Sequence, residues 1–343
     1  METNAYLQWL ASETPTIWWN DSAVLHEQEK AYANGATGMT TNPVLVSGAL
    51  YGDADMWREK LAGLDGTLSG DKRVMALIHA VTGFYAEKTM PIFQKAAIGE
   101  GYVCAQVDPN HAAEDEFMIE QAKTLAGWSP NIVVKLPATS AGIRAFEECT
   151  ALGLNVAASV SFTVPQVLAV AEARERGKTR AAANGIKPGL AIAVIMVGRL
   201  DDYLRDMVKD GGLPVRESDV TQAGIACIKR AYRIFQEKKY DTFLMPAACR
   251  GAYHVTALAG AKMIMSIGPS IQAALEKEQK PYASAMDRDV PSETLERLLT
   301  IADFRKAFEP DGMRPDEFIA YGPTNRTLTQ FVESGWKQTL AFK

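Results

Sequence analysis

The feature that most constrains this chain is a series of eight short apolar runs spread over most of its length. Each run has between four and eight residues. Short, mostly apolar runs are typical of buried parallel strands, whereas half-exposed antiparallel strands alternate apolar and polar residues. The runs are residues 16–19, 37–41, 102–107, 131–136, 155–162, 190–197, 241–246 and 261–267.

Amphipathic stretches with helical spacing separate these runs, for example residues 72–96 and 140–153. Eight strands that alternate with helices predict an α/β protein with a closed (β/α)8 barrel, the TIM barrel. An open doubly wound sheet gives the same alternation. However, the segment NDSAVLHE after the first run lacks the GxGxxG motif of that fold. The barrel is therefore the predicted fold class.

Two stretches depart from this alternation. Residues 198–217 are charged and contain two consecutive glycines, which predicts a loop between strand six and its helix. After the eighth run the chain is polar and broken by prolines, and then shows short helical patterns. We therefore expect a catalytic barrel over residues 1–280 and a helical C-terminal extension packed on it over residues 281–343, together a single domain.

The composition argues against several classes of protein. Lys and Arg number 36 against 41 Asp and Glu, a net charge of −5, and such a mildly acidic surface does not suit a nucleic acid or an anionic membrane. The sequence has no apolar stretch of about 18 residues that would span a membrane and no signal-peptide pattern at its start. Four scattered cysteines without a CxxC pair argue against zinc sites and disulfides. We expect a cytoplasmic protein.

Lys135 closes the fourth run, and catalytic groups of (β/α)8 barrels lie at the carboxyl ends of strands. A lysine that points into a barrel loses hydration, which disfavours its charged form. The neutral amine can then attack a carbonyl and form a Schiff base. The alternative is a lysine that only reaches solvent at a strand end. Asp21, after the first run, is either a general acid–base or a helix N-cap.

Arg199 and Arg250 follow the sixth and seventh runs. Two guanidinium groups at one barrel mouth suit a phosphate, sulfonate or carboxylate. The alternative is a pair of surface salt bridges. The histidines show neither HxH nor HExxH spacing, so no metal site is expected.

Four motifs occur together in this chain: GMTTNPVLV (38–46), NIVVKLPATSAGIRAFEE (131–148), MVGRLDDY (196–203) and AACRGAYHVTALAGAKMIMSIGPSI (247–271). By their order and spacing they resemble the transaldolase family of class I, Schiff-base-forming enzymes, which is related to fructose-6-phosphate aldolase. The resemblance runs from about Thr16 to the end of the eighth run. It implies a (β/α)8 barrel that uses no cofactor. It also implies transfer of a three-carbon dihydroxyacetone unit from a ketose phosphate to an aldose phosphate.

Carried over residue by residue, the resemblance makes Lys135 the Schiff-base lysine and Asp21 the acid–base on the sugar hydroxyls. Asn42, in the TTNP motif, becomes a ligand of the donor hydroxyls, with Thr41 beside it as a further substrate contact. Arg199 and Arg250 would both hold the phosphate group of the substrate.

Two single residues and one apolar stretch differ from the family pattern. Gln106 stands where transaldolases have a glutamate, and an amide can position a water but cannot relay a proton. Ser159 replaces a threonine and keeps the hydroxyl that would orient a catalytic water. Val194 and Met196 belong to an apolar stretch where the family has a hydroxyl. The polar partner of the donor's terminal hydroxyl is therefore missing, which leaves the donor specificity open.

The resemblance therefore implies a transaldolase of carbohydrate metabolism, in the pentose phosphate pathway. One alternative is a class I aldolase or lyase that releases the three-carbon ketone, which Gln106 modestly favours. Another is transfer from a non-standard or sulfonated sugar, which Val194 beside the intact arginines suggests. A barrel that only binds sugar phosphates is disfavoured because the reactive set is complete. The expected partners are sugar phosphates or other anionic sugars, and a homodimer, since family members are often dimers.

Overall fold

A computed structural model describes residues 3–343 of the chain. It contains eight strands: β1 (Ile17–Asn20), β2 (Gly38–Met39), β3 (Val103–Gln106), β4 (Ile132–Pro137), β5 (Val156–Ser159), β6 (Ala191–Ile195), β7 (Phe243–Pro246) and β8 (Ile264–Ile267). They form one parallel sheet in the hydrogen-bonded order β7-β6-β5-β4-β3-β2-β1-β8. Because β8 also lies beside β7, the sheet is a nearly closed barrel, and the predicted (β/α)8 fold is confirmed.

Helices surround the barrel and continue beyond its last strand. Up to β8 they are α1 (Ala5–Glu13), α2 (Leu25–Ala33), α3 (Pro43–Gly52), α4 (Ala54–Lys60), α5 (Gly70–Phe93), α6 (Asp115–Ala126), α7 (Ser140–Ala151), α8 (Val164–Ala183), α9 (Val197–Gly211), α10 (Glu217–Val220), α11 (Ala223–Lys238) and α12 (Ala252–Thr256). After β8 they are α13 (Pro269–Leu275), α14 (Ser292–Leu298), α15 (Ala302–Phe308), α16 (Gly322–Gln330) and α17 (Lys337–Ala341). The helical C-terminal region is therefore confirmed.

Strand register decides which side chains enter the barrel. Gln106 on β3 pairs with Lys135 on β4, and Lys135 pairs with Ala157 on β5. Directly paired residues share a face of the sheet, and residues two apart in one strand do so as well. Ser159 therefore lies on the same inner face as Lys135, one layer nearer to the carboxyl ends of the strands.

The prediction of a loop over residues 198–217 is wrong for most of its length, because α9 occupies Val197–Gly211. Leu200 and Leu204 are fully buried, while Asp202, Arg205 and Asp206 lie on the more exposed face of an amphipathic helix. The helix ends at Gly212, whose φ of 58° is left-handed and suits glycine. Most of the charges in this segment therefore lie on the outer face of a helix, whereas Asp201 is buried.

The C-terminal extension returns to the barrel. Between α16 and α17 the chain forms a π-helical turn, Phe331–Trp336, which packs against α3. Turns of this kind are rare and are frequently found at functional sites. Within residues 3–343, no helix has the length and apolar character needed to cross a membrane.

Candidate active site

A cavity of about 280 Å³ opens at the carboxyl ends of the strands, where (β/α)8 barrels hold their active sites. Eight of the ten residues predicted from the sequence line it: Asp21, Asn42, Lys135, Ser159, Val194, Met196, Arg199 and Arg250. They come from β1, β2, β4, β5, β6 and β7 or from the residues that follow those strands. The fold therefore gathers side chains that are far apart in sequence into one small space.

Lys135 supplies the amine of the cavity. The side chain is 7% exposed, and its Nζ donates a hydrogen bond to the carbonyl of Thr41 at 2.8 Å. Among the described residues no carboxylate forms a salt bridge with it. The alternative of a lysine that only reaches solvent at a strand end therefore does not hold, because this amine is buried in the cavity.

Asp21 lies directly after β1 and is half-buried. Its Oδ1 accepts a hydrogen bond from the Thr40 hydroxyl at 2.6 Å, and that hydroxyl is 2.7 Å from the hydroxyl of Ser266. Because an ionised carboxylate can only accept, Thr40 donates to Asp21 and Ser266 in turn donates to Thr40. The N-cap alternative is wrong, because Val24 precedes α2 and occupies the N-cap position.

Asn42 is the N-cap of α3. Its Oδ1 accepts from the backbone N–H groups of Val44 and Leu45 at 2.9 and 3.0 Å, and Pro43 occupies the first helical position, where proline is favoured. These two bonds fix the orientation of the side chain. Its amide nitrogen is the polar group left to face the cavity.

Arg199 and Arg250 differ in how their charges are compensated. Arg199 forms no salt bridge in the described residues. Its Nε is buried without a hydrogen-bond partner, and its guanidinium lies 5.8 Å from the ring centroid of Phe331. Burial, and next the positive charge of Arg250, lower the pKa of Arg199. Arg250 is more exposed and pairs with Asp202 at 2.8 Å. An anion bound at this mouth would satisfy the unpaired Arg199.

Gln106 is the residue of β3 that pairs with Lys135 of β4. The residue is 5% exposed, and its Oε1 has no hydrogen-bond partner in the part of the chain that the structure describes. Gln106 does not belong to the cavity lining, but the register keeps it on the inner face. A buried carbonyl oxygen without a partner is an acceptor for a water or a substrate.

One wall of the cavity is apolar. Val194, Met196 and Met245 are each at most 6% exposed, and all three line the cavity. Cys249 lies there too, but burial raises the pKa of its thiol to about 12, which disfavours the thiolate, the nucleophilic form of the side chain. Lys135 is the one lysine among the residues that line the cavity.

The C-terminal extension reaches the same site. The hydroxyl of Thr327 in α16 lies 3.5 Å from Nη1 of Arg199, and Phe331 lies beside that guanidinium. A Cβ at Gly335 would lie 2.5 Å from the Cβ of Pro43. The π-helical turn therefore contacts the start of α3 next to Asn42, and the extension supports two site residues.

Thr41 was expected to contact the substrate, but it is not among the residues that line the cavity. Its hydroxyl donates to the carbonyl of Cys104 at 2.6 Å, and Thr40 lines the cavity instead. The reason is the alternation of side chains along β2 and its continuation, which points Thr40 and Asn42 inward and Thr41 outward. Ser266 also lines the cavity, and it was not predicted from the sequence although it stands in the motif of residues 247–271.

The fold and the cavity define a (β/α)8 barrel protein with a buried lysine between one carboxylate and two arginines. The chain matches the model of the Transaldolase/Fructose-6-phosphate aldolase family over residues 18–315. It therefore belongs to that family, and the resemblance found in the sequence is confirmed. The chain is thus a transaldolase-family enzyme.

Curated relatives agree with this assignment. A transaldolase of Thiobacillus denitrificans is 31% identical over 230 residues, which are 64% of this chain and 62% of that protein. Transaldolase 1 of Streptomyces avermitilis is 30% identical over 58% of this chain and 54% of its own length. A transaldolase of Parafrankia sp. is 29% identical over 62% and 59%. The matched part is thus less than two thirds of each of these relatives.

Proposed function

We propose that this protein transfers a three-carbon dihydroxyacetone unit from a ketose phosphate to an aldose phosphate through a Schiff base on Lys135. The observation that carries the proposal is the amine itself. It is buried, it forms no salt bridge, and it shares one cavity with a carboxylate and an uncompensated guanidinium. The names of the relatives agree with this reaction type.

The first half of the reaction cleaves the donor. The neutral amine of Lys135 adds to the ketose carbonyl, and loss of water leaves a protonated imine. Asp21 takes the proton of the C4 hydroxyl, the C3–C4 bond breaks, and its electron pair moves to the imine nitrogen. The aldose leaves, and a three-carbon enamine stays on Lys135. The hydroxyl of Thr40 holds the Asp21 carboxylate in place for this step, and Ser266 in turn contacts that hydroxyl.

The second half reverses these steps with another aldehyde. The enamine carbon attacks the acceptor carbonyl, Asp21 returns the proton to the new hydroxyl, and water hydrolyses the imine. Gln106 and Ser159 would hold that water, and Asn42 would donate its amide N–H to a hydroxyl of the three-carbon unit. Arg199 and Arg250 would grip the anionic end of each aldose in turn.

The test is reductive trapping. Incubation with fructose 6-phosphate and borohydride should add a reduced three-carbon or six-carbon adduct to the peptide that contains Lys135, as measured by mass spectrometry. Lys135→Met should show no adduct and no turnover. Lys229→Met is a matched control, because Lys229 is similarly buried, at 6% exposure, but lies outside the cavity. An adduct that persists in the Lys135 variant would show that another nucleophile acts.

Release of the three-carbon unit to water is a second candidate function, favoured by Gln106. The enamine would then be protonated at carbon, and hydrolysis would free the ketone. The apolar wall of Val194, Met196 and Met245 also favours donors with fewer hydroxyls at this end, or a non-standard or sulfonated sugar. An assay without acceptor distinguishes the two reactions, because only the lyase releases the three-carbon ketone at a rate close to that of donor consumption.

A further inference from the structure

A buried histidine–carboxylate pair lies behind the loop that carries Arg250. His254 in α12 and Asp201 in α9 are both 0% exposed, and His254 Nε2 lies 2.9 Å from Asp201 Oδ2. Neither residue lines the cavity, so the pair does not touch a substrate there. Buried polar groups of this kind are retained where every atom has a partner.

The outer atoms of the pair each hold a backbone N–H group. The N–H of Arg250 donates to His254 Nδ1 at 3.1 Å, and the N–H of Gly224 donates to Asp201 Oδ1 at 2.9 Å. Because a backbone N–H can only donate, Nδ1 must carry the lone pair and the ring proton must be on Nε2. That proton points at Asp201. The carboxylate therefore fixes the Nε2-protonated tautomer, which leaves Nδ1 free to accept from the backbone N–H of Arg250.

The backbone just before Arg250 has a strained conformation. Ala248 has a φ of 54°, a left-handed conformation that a non-glycine residue adopts only where its surroundings impose it. Its carbonyl accepts from Arg250 Nη1 at 2.9 Å. A Cβ at Gly198 would lie 2.3 Å from that same carbonyl oxygen, so the loop lies tightly against the start of α9.

We propose that Asp201 and His254 are positioning residues that set the backbone of Arg250, and through it the grip on the anionic end of the substrate. The proposal rests on the proposed role of Arg250. The hydrogen bonds form a continuous chain from Gly224, at the N-terminus of α11, through Asp201 and His254 to the N–H of Arg250. An amide at position 201 breaks this chain, because it offers one acceptor where two N–H donors require acceptors.

The experiment compares fructose 6-phosphate with fructose as donors and uses the ratio of their kcat/KM values as a measure of phosphate recognition. Arg250→Gln sets the reference loss. Asp201→Asn should lower the ratio about tenfold, through a higher KM for the phosphorylated donor, with kcat/KM for fructose nearly unchanged. Asp210→Asn is the control, because Asp210 lies in the last turn of the same helix and is exposed. It should leave the ratio unchanged.

Equal losses for both donors in Asp201→Asn would overturn the proposal, because they would indicate damage to the fold rather than to phosphate recognition. An unchanged ratio would overturn it too. If wild-type enzyme and Arg250→Gln show the same ratio, the role of Arg250 itself is wrong, which is a separate failure. In that event the 15N chemical shifts of the His254 ring still test whether Asp201 sets the tautomer of His254. We expect a protonated Nε2 in the wild type and a shift toward Nδ1 in Asp201→Asn. A wild-type proton on Nδ1 refutes the arrangement.

Discussion

Gly335 offers the sharpest test of how the C-terminal extension supports the site. It lies in the π-helical turn Phe331–Trp336, outside the residues matched by the family model. The turn packs so closely on α3 that a Cβ at position 335 would lie 2.5 Å from Pro43 Cβ, 2.6 Å from Pro43 C and 2.7 Å from Val44 N. The change Gly335→Ala therefore adds one methyl group against the start of that helix.

The size of the effect follows from these distances. Two of the three atoms belong to the backbone and the third to a proline ring, so none can rotate away. The first turn of α3 must retreat by 0.7 to 0.9 Å to reach the 3.4 Å at which ordinary contact begins. Asn42 caps that turn, so it moves as well. We expect kcat/KM to fall about 10- to 100-fold, as for other displacements near 1 Å, and overpacking to lower the unfolding free energy by about 1–3 kcal/mol.

The assay is turnover of fructose 6-phosphate, with urea unfolding measured on the same preparations. Gly48→Ala is the matched control, because it makes the same change in α3 itself, where nothing lies within 4 Å of the added Cβ. Gly48→Ala should keep full activity and gain slightly in stability. If Gly335→Ala is as active as Gly48→Ala, the extension does not position Asn42, and the reasoning fails.

Two further changes test other parts of the structure. Asp219 is 1% exposed, and hydrogen bonds from Arg297 hold the pKa of its carboxyl well below its usual range. Asp219→Asn should therefore lower the unfolding free energy at pH 7 by about 2 kcal/mol. This difference between variant and wild type should shrink below about pH 4, because the unfolded wild-type chain then binds a proton that the folded carboxylate does not, and the wild type loses stability. A difference that does not change with pH in urea titrations would contradict this reasoning. Val194→Ser adds a hydroxyl to the apolar wall of the cavity. In a competition assay, the preference between dihydroxyacetone and hydroxyacetone should shift about tenfold toward dihydroxyacetone. An unchanged preference would mean that Val194 does not contact that end of the donor.

The barrel was predictable because its signal is repeated. Eight apolar runs and the helices between them give the same answer many times, so the error at α9 did not alter the fold. That error arose because Asp202, Arg205 and their neighbours were read as a charged loop, while Leu200 and Leu204 at helical spacing marked the buried face. Spacing was the better guide than charge in this segment.

The composition of the cavity was predictable only at strand ends. Lys135 lies near the carboxyl end of β4 and Asp21 directly follows β1, so barrel topology alone brings them to one end. The cavity lining includes Thr40 and not Thr41, and the sequence did not show this because a two-residue strand gives little pattern from which to decide which side chain faces inward. Gly335 and Phe331 carry no local signal at all, since their contacts with the site join segments that are more than 100 residues apart.

Backbone strain follows the same division between local and long-range causes. Between residues 3 and 343, three non-glycine residues have a positive φ: Val160 at 51°, Ala248 at 54° and Lys239 at 56°. Lys239 ends a helix, where the left-handed conformation is common and locally determined. Val160 and Ala248 instead follow strands β5 and β7, next to Ser159 and shortly before Arg250, and a left-handed valine is a conformation that only surrounding contacts can impose. The two strained positions therefore coincide with the loops whose geometry the chain's local pattern did not reveal, because tertiary packing, rather than local preference, sets the conformation there.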